Sequence, residues 1–138
     1  MLLFERKKLV FAIGVLVCFA IVIFLIVTLR GEPEPTVLFI SSSEARDKIN
    51  EHQDAFILDV RSHGEFAERR IPGAVNIHYT EIAAQQELLP QDRHAMIFVH
   101  CQVGRRAGFA ANKLVELGFT NIIVFPGMID WEGETVRD

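Results

Sequence analysis

The sequence is poor in cysteine and in positive charge. Its 138 residues contain two cysteines, Cys18 and Cys101, and only Cys101 lies outside an apolar N-terminal segment. One thiol cannot form an intramolecular disulfide, which excludes a disulfide-stapled fold for residues 31–138. Those residues carry 10 Lys and Arg against 17 Asp and Glu, without a basic stripe. Such an acidic composition is a poor one for binding nucleic acid, and we expect no nucleic-acid partner.

Charge is absent altogether from residues 9–29, LVFAIGVLVCFAIVIFLIVTL, where Thr28 is the only polar side chain. As a helix this run is about 31 Å long, which matches the hydrocarbon core of a bilayer. A cleaved signal peptide has a shorter apolar core and ends in small residues, and neither feature is present. The run therefore predicts an uncleaved transmembrane helix over residues 9–29, with Cys18 as one of its apolar side chains.

The charged flanks of this run predict its orientation. Arg6, Lys7 and Lys8 precede it, whereas only Arg30 follows it. Positive residues favour the cytoplasmic side. We therefore expect a single-pass membrane protein with residues 1–8 as a cytoplasmic tail. Residues 30–36 are then a linker to a domain, residues 37–138, that lies outside the cytoplasm, on the periplasmic side in a bacterium.

Short apolar runs alternate with helical patterns through the rest of the chain, which predicts an α/β domain. Serines at the start of one pattern are good N-caps, and Pro90 and Gly118 are good helix ends. The expected architecture is a mainly parallel five-stranded sheet with helices on both faces. The predicted strands are residues 37–40, 55–60, 71–77, 95–100 and 121–125, and the predicted helices are residues 41–51, 63–69, 80–89, 105–117 and 127–133.

Cys101 follows a predicted strand and precedes a predicted helix, which is where ligands bind in such sheets. The helix N-terminus, Arg105 and Arg106 would favour the thiolate, and Gly104 would let loop amides turn inward to bind an anion. A lone cysteine is more often an inert core residue. Two adjacent arginines fit that alternative badly, so the pattern favours a nucleophile.

The spacing of the arginine separates two kinds of electrophile. Cysteine phosphatases resemble this stretch, including the histidine before the cysteine, but their arginine follows after five intervening residues. That position is Ala107 in this sequence. A loop that closes one residue earlier, at Arg106, suits a group smaller than phosphate, which favours sulfur transfer.

Three ordered motifs in residues 41–136 resemble the rhodanese (sulfurtransferase) family. They are ILDVRSHGEFAERRIPGAVNI, HCQVGRRAG with the loop pattern Cys-x-x-Gly-x-Arg, and LVELGFTNIIVFPGMIDW. Two departures stand out. Arg69-Arg70 stands where members of the family often have Gly-His. Pro126-Gly127 stands where the family has two glycines after the last strand.

The resemblance implies a sulfurtransferase of the thiosulfate type, in which a Cys101 persulfide carries sulfane sulfur from a donor such as thiosulfate to a small or protein thiol. No metal or organic cofactor is implied. Asp59 and Arg61 would either line the pocket or form a structural ion pair, and we favour the second. His100 points to the opposite face of its strand from Cys101 and is not expected to be its base. The implied donor-binding residues are Gln102, Val103, Gly104, Arg105 and Arg106.

Two alternative functions remain open at this stage. One is a persulfide carrier or partner-binding rhodanese module with little turnover of its own. The other, which Ala107 disfavours, is a cysteine phosphatase or arsenate reductase.

Overall fold

The structure is a computed structural model that describes residues 6, 10–26, 31 and 33–138. The chain forms two compact units, residues 1–33 and residues 34–138. The first unit is helix α1, Leu2–Leu29. Within the described residues, no helix has both the length and the apolar character needed to cross a membrane.

The transmembrane helix predicted over residues 9–29 is not supported by that result. Residues 9 and 27–29 of the predicted span lie outside the described residues. The same holds for the predicted cytoplasmic tail, apart from residue 6, and for residues 30 and 32 of the predicted linker.

The second unit is built on one parallel sheet. Its five strands lie in the order β1-β5-β4-β2-β3, and every pair of neighbours is parallel. The predicted five-stranded parallel sheet is therefore confirmed. All five residues of the central strand β4 are buried, which explains the apolar run of residues 97–99 that leads to His100. The strands are β1 Thr36–Phe39, β2 Phe56–Asp59, β3 Val75–Asn76, β4 Ile97–Cys101 and β5 Asn121–Gly127.

Helices cover both faces of this sheet, as predicted. Helix α4, Arg105–Glu116, packs on one face through a stripe of small and branched residues, Ala107, Ala110, Ala111 and Leu114, which are all fully buried. Helix α2, Ser42–Glu51, buries Ala45 with the core of the other face. The remaining helix of this unit, α3, is short and spans His63–Glu68.

Local sequence signals set several of these helix boundaries. Ser41 and Glu44 form a reciprocal capping box at the start of α2, and Ser62 and Glu65 form another at the start of α3. Gly118 takes a left-handed conformation, with φ +88°, just after α4, as the sequence predicts for the residue that ends this helix.

The predicted helix over residues 80–89 is wrong. The chain there makes successive turns and one 3-10 helix, Gln86–Leu88, before Leu89 becomes extended ahead of Pro90. Ile82 and Leu89 are both buried in the α4 side of the core. Burial of these two side chains outweighs the helix propensity of the segment.

The predicted closing helix over residues 127–133 is also wrong, because its first N–H groups have other partners. Met128 and Ile129 donate their backbone N–H groups to the carbonyl oxygens of Cys101 and Gln102, at 3.1 and 3.0 Å. Residues 127–130 consequently form a turn that is hydrogen-bonded to the segment after β4.

Candidate active site

Cys101 is the last residue of β4, whereas the sequence placed it just after the strand. Its side chain is fully buried and belongs to the core cluster on the α4 side, together with Val99. His100 faces the other way, where its ring stacks on Phe125 with centroids 5.0 Å apart. The expectation that His100 lies on the opposite face is confirmed.

The loop that follows Cys101 turns back on the sulfur. The backbone N–H of Gly104 donates to Cys101 Sγ at 3.1 Å. Gly104 has φ +89° and stands at the N-cap of α4, so the dipole of a 12-residue helix begins beside the thiol. A backbone hydrogen-bond donor and the positive end of a helix dipole therefore both lie next to the sulfur.

Arg106 is held by Glu65 of α3 in a two-pronged ion pair. Its Nη1 and Nη2 atoms donate to Glu65 Oε2 and Oε1, both at 2.7 Å. Glu65 Oε2 also accepts from the backbone N–H and the hydroxyl of Ser62, at 3.0 and 2.8 Å. The guanidinium is therefore fixed in place by a carboxylate that is itself fixed at a helix start.

This ion pair shifts both titrations. The Arg106 guanidinium, with smaller contributions from the Ser62 hydrogen bonds, lowers the pKa of Glu65 from 4.5 to about 2, against a smaller opposing effect of burial. The pKa of Arg106 is raised, first by Glu65 and to a lesser extent by Cys101. Arg106 is therefore positively charged and close enough to the thiol to interact with it.

The other loop residues differ in exposure. Val103 is 57% exposed, and Arg105 is exposed with no hydrogen-bond or ion-pair partner among the described residues. Gln102 is half-buried, and its carbonyl oxygen accepts from Ile129. Of the five predicted donor-binding residues, the structure brings two to the thiol, Gly104 through its backbone N–H and Arg106 through its guanidinium. The Arg105 side chain is in solvent.

Asp59 and Arg61 form a buried ion pair on the other face of the sheet from the sulfur. Arg61 Nη2 lies 2.6 Å from Asp59 Oδ2, and its Nε lies 3.0 Å from both carboxylate oxygens. The same Nη2 donates to the carbonyl oxygen of Arg69 at 2.6 Å. Asn76 donates to the carbonyl oxygens of both Asp59 and Arg61. These contacts join β2 to β3 and to the end of α3.

Sequence reasoning missed three groups that shape this site. Glu65 sits in a capping box, but nothing in its spacing indicated a partner 41 residues away. Arg69 donates to the carbonyl oxygen of Met128 at 2.5 Å and so supports the turn after β5. Gly127, with φ +99°, packs directly against the backbone of Cys101. Each contact joins segments that are distant in sequence, and only the fold reveals it.

Comparison with known proteins identifies the class to which this fold and loop belong. A family model for the rhodanese-like domain matches residues 41–133. The candidate sulfurtransferase YtwF of Bacillus subtilis is 36% identical over 96 residues, which cover 70% of this chain and 91% of YtwF. The candidate sulfur carrier protein YrkF of the same organism is 35% identical over 97 residues, covering 70% of this chain but only 51% of YrkF.

The fold has solved counterparts as well. A rhodanese-related protein from Thermoplasma volcanium superposes with a TM-score of 0.63 at 24% identity, over 73% of this chain and 99% of that one. The chain belongs to the rhodanese-like domain family, whose sulfurtransferase and sulfur-carrier members are its relatives.

Proposed function

We propose that this protein is a sulfurtransferase of the thiosulfate type that works through a persulfide on Cys101. The Cys101 thiolate attacks the outer sulfur of thiosulfate, a new S–S bond forms, and the old S–S bond breaks. Its electron pair leaves with sulfite, and the cysteine persulfide keeps one negative charge. A thiolate acceptor, or cyanide in an assay, then takes the outer sulfur and returns Cys101 as the thiolate.

The size of the loop is the observation that carries this proposal. The Cys101 sulfur, the Gly104 N–H at 3.1 Å and the Arg106 guanidinium fall within six consecutive residues. Ala107, where a phosphatase would have its arginine, is fully buried against the sheet. A side chain at that position faces the core, which supports a loop that ends at Arg106 and suits a small anionic donor.

The residues of the site take separate roles in this proposal. Cys101 is the nucleophile, the amides of residues 102–106 hold the anionic donor and then the persulfide, and Arg106 neutralises the sulfonate charge. Arg105, exposed and unpaired among the described residues, attracts the anion to the mouth of the site. Asp59 and Arg61 act as framework, because their partners are groups of β2, β3 and the end of α3. No metal ion or organic cofactor takes part.

Mass spectrometry of the intact full-length chain tests the chemistry directly. Incubation with thiosulfate should add the mass of one sulfur atom, and cyanide should remove that atom as thiocyanate. Cys101→Ser should abolish both changes, whereas Cys18→Ser should leave both intact and serves as the matched control. A folded chain that gains no sulfur from thiosulfate or from a persulfide donor would refute the proposal.

A persulfide carrier is the second candidate, favoured by the match to YrkF, which is named as a sulfur carrier protein. One experiment distinguishes the two functions. Both proteins gain sulfur from a persulfide donor, but a carrier shows little thiosulfate:cyanide turnover, whereas a sulfurtransferase turns over. Release of phosphate from an aryl phosphate, or of arsenite from arsenate, would indicate the phosphatase or arsenate reductase alternative instead.

We also propose that the uncharged run of residues 9–29 anchors the protein in a membrane, with residues 37–138 outside the cytoplasm. The run contains no charged side chain, and every described residue from 10 to 26 is exposed. An apolar helix that is exposed on all sides needs an apolar surrounding. The sulfur acceptor would then lie on the same side of the membrane as the domain.

Fractionation and protease protection test the anchor and its orientation separately. The full-length chain should stay with membranes after alkaline carbonate extraction, and a variant that begins at residue 31 should not. In intact spheroplasts, added protease should digest the domain. Release by carbonate would refute the anchor, and protection until lysis would refute the orientation.

A further inference from the structure

His100 is a buried ionisable group beside Cys101 that the proposed reaction does not use. Its ring is fully buried, and Nε2 has no hydrogen-bond partner among the described residues. Burial lowers the pKa of His100, against an opposing effect of Asp59, whose Oδ2 lies 3.7 Å from Nε2. A buried nitrogen without a partner is unfavourable for stability, so an apolar residue would suit simple packing better.

Among the described residues, the one hydrogen bond of this ring joins it to the carbonyl oxygen of Cys101 itself. His100 Nδ1 lies 3.3 Å from the carbonyl oxygen of Cys101, and because a carbonyl oxygen only accepts, Nδ1 carries the proton. The same oxygen accepts from the backbone N–H of Met128 at 3.1 Å. The pairing of β4 with β5 shifts register between His100 and Cys101, so the ladder alone does not fix this carbonyl.

The direction of this carbonyl determines how the loop starts. In a trans peptide the N–H points away from the C=O of the same unit. The two donors on the Cys101 oxygen therefore also set the direction of the Gln102 N–H, which is the first amide of the loop. The loop then returns through Gly104, whose N–H donates to Sγ at 3.1 Å. If the Cys101–Gln102 peptide rotated, the N–H groups of the loop would no longer point toward the sulfur.

We propose that His100 is a positioning residue, which holds the Cys101–Gln102 peptide through Nδ1 so that the loop amides stabilise the thiolate. This inference rests on the proposed function of Cys101 as the nucleophile. It assigns the ring no contact with the donor and no proton transfer. The group that matters is the Nδ1 donor, and the Nε2 side that faces Asp59 is dispensable.

Two amide substitutions separate the two sides of the ring. In His100→Asn the side-chain amide reaches the Nδ1 position, and in His100→Gln it reaches the Nε2 position. His100→Leu removes both. Each variant is made in the full-length chain with Cys18→Ser, so that Cys101 is the only thiol, and thermal unfolding verifies that it is folded.

The measured quantity is the rate at which iodoacetamide alkylates Cys101 between pH 5 and 9, followed by intact mass. His100→Asn should keep the parent's midpoint pH. His100→Gln and His100→Leu should raise it by about one unit, so that alkylation at a pH below both midpoints slows about tenfold. If His100→Leu does not fold, the comparison of Asn with Gln still decides the question.

Two results would overturn the proposal. In the first, His100→Gln keeps the parent's midpoint pH of Cys101 alkylation and His100→Asn shifts it. That result would show that the ring acts through Asp59. In the second, all folded variants have the parent's midpoint pH of alkylation. That result would show that His100 does not position the Cys101–Gln102 peptide. Alkylation consumes no sulfur donor, so these results are independent of thiosulfate loading, and a failure of the sulfurtransferase proposal would be seen separately in the parent chain.

Discussion

Gly127 determines how closely β5 can approach the backbone of the nucleophile. Its φ is +99°, a conformation that favours glycine, and a Cβ there would overlap the carbonyl oxygen of Cys101 and lie 2.8 Å from His100 Nδ1. Both of those atoms belong to rigid, buried groups. The glycine is therefore required by its surroundings as well as by its own backbone conformation.

Gly127→Ala should destabilise the protein by about 3 kcal/mol, since a left-handed alanine and an overlap with backbone combine. Gly73→Ala is the matched control. Gly73 also has positive φ, +76°, but its added Cβ meets no atom within 4 Å, so only about 1 kcal/mol of conformational strain is expected. Urea unfolding measures both changes. Equal losses in the two variants would show that the contact with Cys101 is unimportant.

At the scale of elements, the Glu65–Arg106 pair joins the start of α3 to the start of α4. Both side chains are about one-third exposed, at 34% and 28%, so solvent screens the pair in part. The pair nevertheless has a defined geometry. Two parallel hydrogen bonds join the guanidinium to the carboxylate, and the Ser62 capping box fixes the position of the carboxylate. The pair holds the guanidinium that interacts with the Cys101 thiol.

Glu65→Gln should lower the free energy of unfolding by about 1 kcal/mol at pH 7. The pKa of Glu65 is about 2 in the folded chain and 4.5 without these interactions. A lowered pKa stabilises the folded state above pH 4.5, and the contribution is lost as the pH falls from 4.5 towards 2. The difference between wild type and variant should therefore shrink over that range.

Urea unfolding at pH 7, 4.5 and 3 measures this difference. Glu68→Gln, on the same helix but exposed, is the control and should change stability little at any of these pH values. Since Arg106 would lose its fixed position, Glu65→Gln should also lower kcat/KM for thiosulfate by about tenfold, or 1.4 kcal/mol. A stability difference that does not depend on pH would contradict the role assigned to the carboxylate.

At the scale of the whole molecule, the fold could largely be predicted, and the contacts between distant segments could not. Alternating apolar runs, serine caps and Gly118 predicted the parallel sheet and two of its flanking helices. The helix predicted over residues 80–89 failed because burial of Ile82 and Leu89, a tertiary effect, determines that segment. Cys101 could be singled out from its neighbours in sequence. Glu65, Gly127 and the His100 contact could not, because they depend on which strand ends meet.

The C-terminal residues 136–138 contact the end of α3 and so stabilise the active site indirectly. Arg70 and Val136 exchange backbone hydrogen bonds, both at 2.9 Å, in an antiparallel bridge, and Asp138 donates its backbone N–H to the Ala67 carbonyl oxygen of α3 at 3.1 Å. The Arg70 guanidinium also pairs with the Asp138 carboxylate at 2.7 Å. These contacts fasten the end of α3, the helix that carries Glu65.

Val136→Pro should destabilise the domain by about 1–2 kcal/mol, because proline has no N–H to donate to Arg70. Arg137→Pro is the control, since the Arg137 N–H has no partner among the described residues. Hydrogen exchange should become faster in α3 and remain unchanged in β4, because the bridge contacts the segment after α3 but not the central strand. Faster exchange of Val99 and His100 as well would mean that the segment stabilises the whole sheet. Unchanged exchange in α3 would mean that the capping box alone holds the helix that positions Arg106.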